Sequence, residues 1–429
     1  MERPLSRRER YALTSGELGA VSAQTVMVAL LPLLLAPYAP SALWIGIAIG
    51  GEGVFALLLP FWSGALSDRV PPNLAARFGR RTIVVAGAAL LLAGAVAVAP
   101  FLSGYWPLAA AAFVSFAGLH AYLTPFWALL IDAVPDGQRS SVQGIRGVFR
   151  SGGLAYGLVG AGLLFTVWNP LPFLAAAALV LGTTAITWAA ERALGPAAGA
   201  PKRRGLREAC RSVARNGPAL WLLVADAFWN ASVDGIRPYF FLYARRVLGT
   251  TAAQTSLGLL LLLAGVGAGS SVIGLLGDRY DRARILEVSS LALALAFAAG
   301  VLAQSIPVAL ALAAFAGVAA AAIMTLPYPL YAALVGGEAA GEQTGIFVVS
   351  VAAGRIFSPL LVGAVVDLAA RWMPSQGGYP AMWGVSAALA MGGWLALRRS
   401  GREARRAASA AGRAPRATPA RGSPHRARP

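Results

Sequence analysis

Long apolar runs and short polar breaks alternate along the whole chain. Twelve runs stand at about residues 11–36, 42–66, 82–100, 107–133, 144–166, 172–191, 219–243, 255–276, 285–303, 308–335, 344–369 and 380–397. Read as helix, Ala42 to Leu66 alone covers about 30 Å at roughly 1.5 Å per residue, which is the thickness of a bilayer's hydrocarbon core. The pattern therefore predicts an all-α polytopic membrane protein of about twelve transmembrane helices. The first run is longer than the apolar part of a signal peptide and no small-x-small cleavage site follows it; Pro37 to Ser41 instead turns the chain into the second run.

Composition agrees. Hydrophobic residues make up 57% of the 429 and charged residues 13%, against about 25% charged in soluble proteins. The mean hydropathy is +0.65. The 27 prolines and 49 glycines fit packed membrane helices, which tolerate both. One cysteine, Cys210, leaves no internal disulfide to form.

Charge sets the expected orientation. With the N-terminus in the cytoplasm, all but five of the 36 Lys and Arg fall on the cytoplasmic side, the five being Arg237, Arg245, Arg246, Arg355 and Arg371. Both termini are then cytoplasmic, in a plasma membrane of bacterial inner-membrane type. Residues 193–217 read as a basic linker on the inner leaflet, and residues 398–429, Arg-rich among Ala, Pro, Gly and Ser, as a disordered tail. Such basic segments attract anionic lipid, so the net charge of +18 calls for no nucleic-acid partner.

Polar motifs mark where the runs leave the membrane. After the second run stand Gly64, Ser67, Asp68 and Arg69, then Gly79, Arg80 and Arg81. A shorter copy, Gly274, Asp278 and Arg279, follows the eighth run. A signal repeated half a chain later predicts two pseudo-symmetric six-helix bundles, residues 1–192 and 218–397, rocking about a central site. The pattern G-x-L-S-D-R…G-R-R resembles the loop between helices two and three of the major facilitator superfamily. More narrowly, SDR followed by FGRR is similar to the sucrose-proton symporters and the wider glycoside-pentoside-hexuronide cation symporters, although Thr82-Ile83-Val84 stands where that group continues Arg-Pro-Phe. The end of the fourth run, Thr124 to Arg139, resembles the same group. There the likeness implies a gating or proton-coupling role for Asp132 and places Arg139 in a gating loop, while Trp127 replaces a frequent Arg. Thr325 to Leu330 echoes that stretch, pairing Pro125 with Pro327 and Asp136 with Glu338.

Ionisable residues inside apolar runs cost several kcal/mol unless paired, hydrated or neutralised, so they mark candidate sites. In the seventh run Asp226, Asn230, Asp234 and Arg237 share roughly an 80° arc of one helix face. Asp234 has Arg237 within a turn, whereas Asp226 has no local partner and is the better proton carrier. The first half offers Glu17, Gln24, Glu52 and His120, with Gly16-Glu17 resembling an acidic position of the symporter group's first helix. Arg355 is expected to pair with one of these acids. Trp127 and Trp229 lie deep enough to offer an aromatic face to a sugar ring.

The expectation is a monomeric secondary transporter working by alternating access, coupling a proton or another cation to a small-molecule substrate, a sugar or glycoside. Proton-coupled efflux of a drug or other small molecule is the alternative. No HExxH, Cys/His cluster, GxSxG or P-loop points to an enzyme, a metal or a cofactor.

Overall fold

The computed structural model describes residues 4–71, 73–74, 78–79, 81–194, 216–277, 280–335 and 340–413. Among them every regular element is helical. We number the membrane helices α1 (Arg7–Leu35), α2 (Ala42–Asp68), α3 (Thr82–Phe101), α4 (Tyr105–Ala133), α5 (Ser141–Val167), α6 (Leu171–Leu194), α7 (Gly217–Asp234, resuming as Phe240–Val247), α8 (Ala252–Gly277), α9 (Arg282–Gly300), α10 (Ile306–Val335), α11 (Ala340–Ala369) and α12 (Ala381–Arg413). Among the described residues, ten of the helices are long and apolar enough to cross a membrane.

Local chemistry explains where several helices begin. Ser6 Oγ accepts from the Glu9 amide at 3.3 Å while a Glu9 carboxylate oxygen accepts from the Ser6 amide at 2.7 Å, a capping box that starts α1 four residues ahead of the first apolar run. Asn216 caps α7 by accepting from Ala219 N at 3.1 Å, and Asp281 caps α9 by accepting from Ala283 N at 3.0 Å.

Two expectations need correction, and the paired prolines differ in their surroundings. The seventh run is not one helix: it breaks at residues 235–239, around Gly235 and Pro238, whose ring cannot donate to the ladder. Pro125 stays within continuous helix α4, whereas its counterpart Pro327 follows a break at Leu326 in α10. The chain after Leu397 also stays helical as far as Arg413. Its first turns are anchored. Arg399 lies 4.1 Å over the Trp221 ring, Arg398 pairs with Glu287 at 3.0 Å, and Ser400 donates to Pro218 O at 2.7 Å. The body of the basic linker, residues 195–215, and residues 414–429 lie outside the described residues.

Packing repeats with a period of six helices. In the first half α1 packs on α6 and α5, α3 on α6, and α4 on both α2 and α3. The second half answers with α7 on α12 and α11, α9 on α12, and α10 on both α8 and α9. The halves meet where α2 lies along α11 and, symmetrically, where α5 lies along α8. Close approach there needs glycine. A methyl at Gly46 would run into the Pro359 carbonyl, and one at Gly162 into the Ser256 hydroxyl.

Candidate functional site

The polar face of α7 turns onto α11. Asp226, only 3% exposed, accepts from Ser350 Oγ at 2.6 Å. One turn on, Asn230 donates back to the Asp226 carbonyl at 2.8 Å and its Cβ lies beside Gly354 of α11. Asp234 is doubly engaged: Arg237 holds one oxygen at 2.8 Å and Arg355 of α11 the other at 3.2 Å. No described cation pairs with Asp226. The two aspartates thus occupy one face and different electrostatic surroundings.

Arg355 also bridges the halves. Its Nη1 donates to Glu52 Oε1 at 3.1 Å, and the same oxygen of Glu52 accepts from Gln24 Nε2 of α1. A continuous chain of polar contacts therefore runs Gln24, Glu52, Arg355, Asp234, Arg237 across the interface, with equal numbers of acids and bases. Buried charges are stable in such alternation because each one's lost hydration is replaced by opposite charge and hydrogen bonds. His120 of α4 is 5% exposed, lies within electrostatic reach of Arg355, and has no hydrogen-bond partner for Nε2 among the described residues.

A second cluster lies in the first half. Glu17, fully shielded, accepts from Trp127 Nε1 at 3.0 Å and pairs with Arg146 Nε at 3.2 Å and Arg150 Nη1 at 3.5 Å. Arg146 also lies 4.8 Å over the Trp127 ring.

At the basic face, where α1 begins, Arg81 ties three helices together. It binds Asp132 of α4 at 3.0 Å and Ser67 of α2 at 2.7 Å, and Ser67 in turn donates to Gly64 O at 2.8 Å. Gly79 turns the loop with φ +85°, a conformation costly for any residue with a Cβ. Arg69 caps the end of α2, and Arg139 donates to Ile131 O at 3.3 Å. Opposite, Asp367 of α11 accepts from the Ala42 and Leu43 amides at 2.7 and 2.9 Å, so one half caps a helix of the other. Tyr239 adds bonds to Ala42 O at 3.0 Å and Pro359 O at 2.7 Å.

Comparison with known proteins fits this architecture. The sequence profile described as Major Facilitator Superfamily matches residues 15–272 and again 236–427. The chain belongs to the major facilitator superfamily. It is a transporter and not an enzyme. No curated protein sequence matches it. Among solved structures, a bacterial homologue of the human lysosomal transporter Spinster aligns at 16% identity with a TM-score of 0.74, covering 93% of this chain and 99% of that one. The nucleoside transporter NupG aligns at 13% identity and 0.73, covering 92% and 99%, and the POT family transporter PepTSo at 12% and 0.73, covering 95% and 99%. Those likenesses concern the fold.

Within this superfamily member most expected residues converge, and some do not. Gln24, Glu52, Arg355, Asp234 and Arg237 form one network, Asp226 and Asn230 line the same helix face, and Glu17 meets Trp127. Trp229 leaves the site. Its indole donates to Ser290 Oγ of α9 at 2.7 Å and its ring abuts Gly393 of α12, so it packs the second half internally. Arg237 reaches Asp234 from the turn after α7 and not from the helix face. Arg80, Asp278, Arg279 and Glu338 lie outside the described residues, as do the side chains of Asp68, Asp136 and the surroundings of Gly274. Sequence reasoning missed Arg146 and Arg150, counted among cytoplasmic charges. Their i,i+4 spacing inside an expected apolar run was the available signal. Ser350 and Asp367 carried none, since isolated hydroxyls and helix-end acids are common in such proteins.

Proposed function

We propose that this protein is a proton-coupled symporter of a sugar or glycoside, working by alternating access as a monomer in a bacterial inner membrane, with its basic face and both termini in the cytoplasm. The observation that carries coupling is Asp226. A carboxylate held at bilayer depth by neutral donors alone, Ser350 and Asn230, bears a desolvation cost that a bound proton removes, whereas Asp234 and Glu52 are balanced by Arg355. Asp226 is therefore the proton carrier, and the Arg355 network is the joint across which the halves rock. Gln24, Asn230 and the buried, unbonded Nε2 of His120 supply donors and acceptors of the kind that hydroxyl groups need. The Asp367 and Tyr239 bonds to α2 hold the face opposite the basic one, and the Ser67, Arg81 and Asp132 staple stiffens the basic face of the first half.

Drug or other small-molecule efflux by proton antiport draws on the same lone carboxyl, which suits an apolar cation. Proteoliposomes loaded with a pH dye separate the two. Internal acidification on adding sugars is expected; alkalinisation by lipophilic cations with no response to any sugar would replace symport by antiport.

A further inference from the structure

A corner of the second half, on the basic face, has no part in the path through Asp226. Where α12 passes from apolar to charged residues, Arg398 lies 4.8 Å over Trp394 of its own helix and Arg399 lies 4.1 Å over Trp221 of α7. Acids steady both arginines through Nε alone, Glu287 of α9 at 3.0 Å and Glu403 at 3.7 Å. Their terminal nitrogens have no partner among the described residues, and the two side chains are 54% and 55% exposed. The flank is apolar. Leu395, one turn earlier, is 54% exposed, and Val288, next to Glu287 on α9, is 64% exposed. From Arg398 to Arg406 the chain has five arginines and one glutamate, so with Glu287 counted the corner keeps three positive charges in excess.

The first half repeats the element and covers it. Its counterpart helix α6 has the same Trp-x-x-x-Arg spacing, with Arg192 5.8 Å over Trp188. There the Phe78 ring packs 6.3 Å from Trp188 and the Phe78 carbonyl accepts from the indole at 3.0 Å, so the loop between α2 and α3 occupies that corner. Helix α6 then ends two residues beyond Arg192, whereas α12 runs on through Arg399, Arg402, Arg405 and Arg406.

A guanidinium held by its face and by Nε presents its two terminal nitrogens edge-on, the geometry that grips a phosphate. Two such groups beside an exposed leucine and valine match an amphiphile whose phosphate adjoins acyl chains; a soluble phosphate would leave the apolar flank unused. We propose that this corner of α7, α9 and α12 is a built site for the headgroup of one anionic glycerophospholipid, with Arg398 and Arg399 on the phosphate and the chains along Leu395 and Val288. Trp221 and Trp394 are positioning residues for the two arginines. The site is independent of the substrate carried and of the ion coupled. It also differs from diffuse attraction of a basic tail, which follows total charge and not which arginines supply it.

Native mass spectrometry of the purified, delipidated full-length protein, titrated with phosphatidylglycerol or phosphatidylcholine, counts bound lipid directly. One phosphatidylglycerol is expected to bind about tenfold or more tightly than phosphatidylcholine, as one charge-assisted contact supplies. Arg398→Gln combined with Arg399→Gln should weaken it by about tenfold or more, and the matching pair of lysine substitutions should recover part of the loss, since charge stays while the planar edge goes. Arg405→Gln combined with Arg406→Gln removes the same charge farther along the helix and should change the affinity by less than about threefold. Unchanged elution on size exclusion controls for misfolding, and the lysine pair carries the test if the glutamine pair fails to fold. Equal affinity for the two lipids, indifference to substitution of Arg398 and Arg399, or an equal loss from the Arg405 and Arg406 pair would overturn the site. Displacement of bound phosphatidylglycerol by millimolar glycerol 1-phosphate would overturn it as well, by making the ligand a soluble phosphate.

Discussion

The first helix of each half buries one carboxyl roughly three turns from its start, Glu17 in α1 and Asp226 in α7, and the two have opposite surroundings. Glu17 meets an indole and two guanidinium groups. Asp226 meets only neutral groups among the described residues, the Ser350 hydroxyl and the Asn230 side chain. The repeat conserves the place of the acid and not its partners, because the helix packed beside it differs: α5 presents Arg146 and Arg150 to α1, while its counterpart α11 presents Ser350 to Asp226 and sends Arg355 on to Asp234 and Glu52. An acid already balanced by cations gains little from a proton, and one met by neutral donors alone gains more. Pseudo-symmetry thus yields one carboxyl balanced by cations and one met by neutral donors from the same architecture.

The largest test of that contrast is Asp226→Asn. It should abolish pH-gradient-driven accumulation while leaving exchange between equal internal and external pools, since exchange need not cycle the proton. Counterflow and gradient-driven uptake in the same vesicles measure both, and accumulation that survives would move proton carriage to Glu17, Glu52 or Asp132.

A smaller but still large effect is expected at the joint between the halves. Arg355→Ala strands Glu52 and Asp234 without their shared cation, at a cost of about 3–5 kcal/mol, visible as a lowered melting temperature in detergent. Arg237 still holds one oxygen of Asp234, so adding Glu52→Gln should recover part of the loss. No recovery would mean that the bridge to Glu52 contributes little.

The smallest effect belongs to the other side of α7. Trp229→Phe removes one hydrogen bond to Ser290 and keeps most of the packing, so stability should fall by about 1 kcal/mol while substrate affinity stays level. A change in affinity with unaltered melting would return Trp229 to the site.

Much of this protein was legible without coordinates. The helix ends follow the apolar runs closely, for instance 42–66 against Ala42–Asp68 and 308–335 against Ile306–Val335. The shared face of Asp226, Asn230 and Asp234 was likewise readable, because helical spacing alone places them. What misled was residue type taken without direction. Trp229 is one position from Asn230, and 100° of helix rotation points it at α9 instead of α11. Arg146 and Arg150 looked like topology charges because Lys and Arg at a helix end usually are.

Hydropathy and charge by themselves determined that the chain is a bundle of membrane helices in two related halves, since a bilayer demands continuous apolar length and internally bonded backbone whatever the partners. The recurrence of the membrane-exit motif added the repeat. Only tertiary structure decided which acid meets which base: that Arg355 joins Glu52 to Asp234, that two arginines converge on Glu17, and that Asp226 meets neutral donors and no described cation. Those pairings link residues as much as 303 positions apart, and a charge's partner is set by which helix faces lie within a few ångströms, a property of packing that no single run of residues contains.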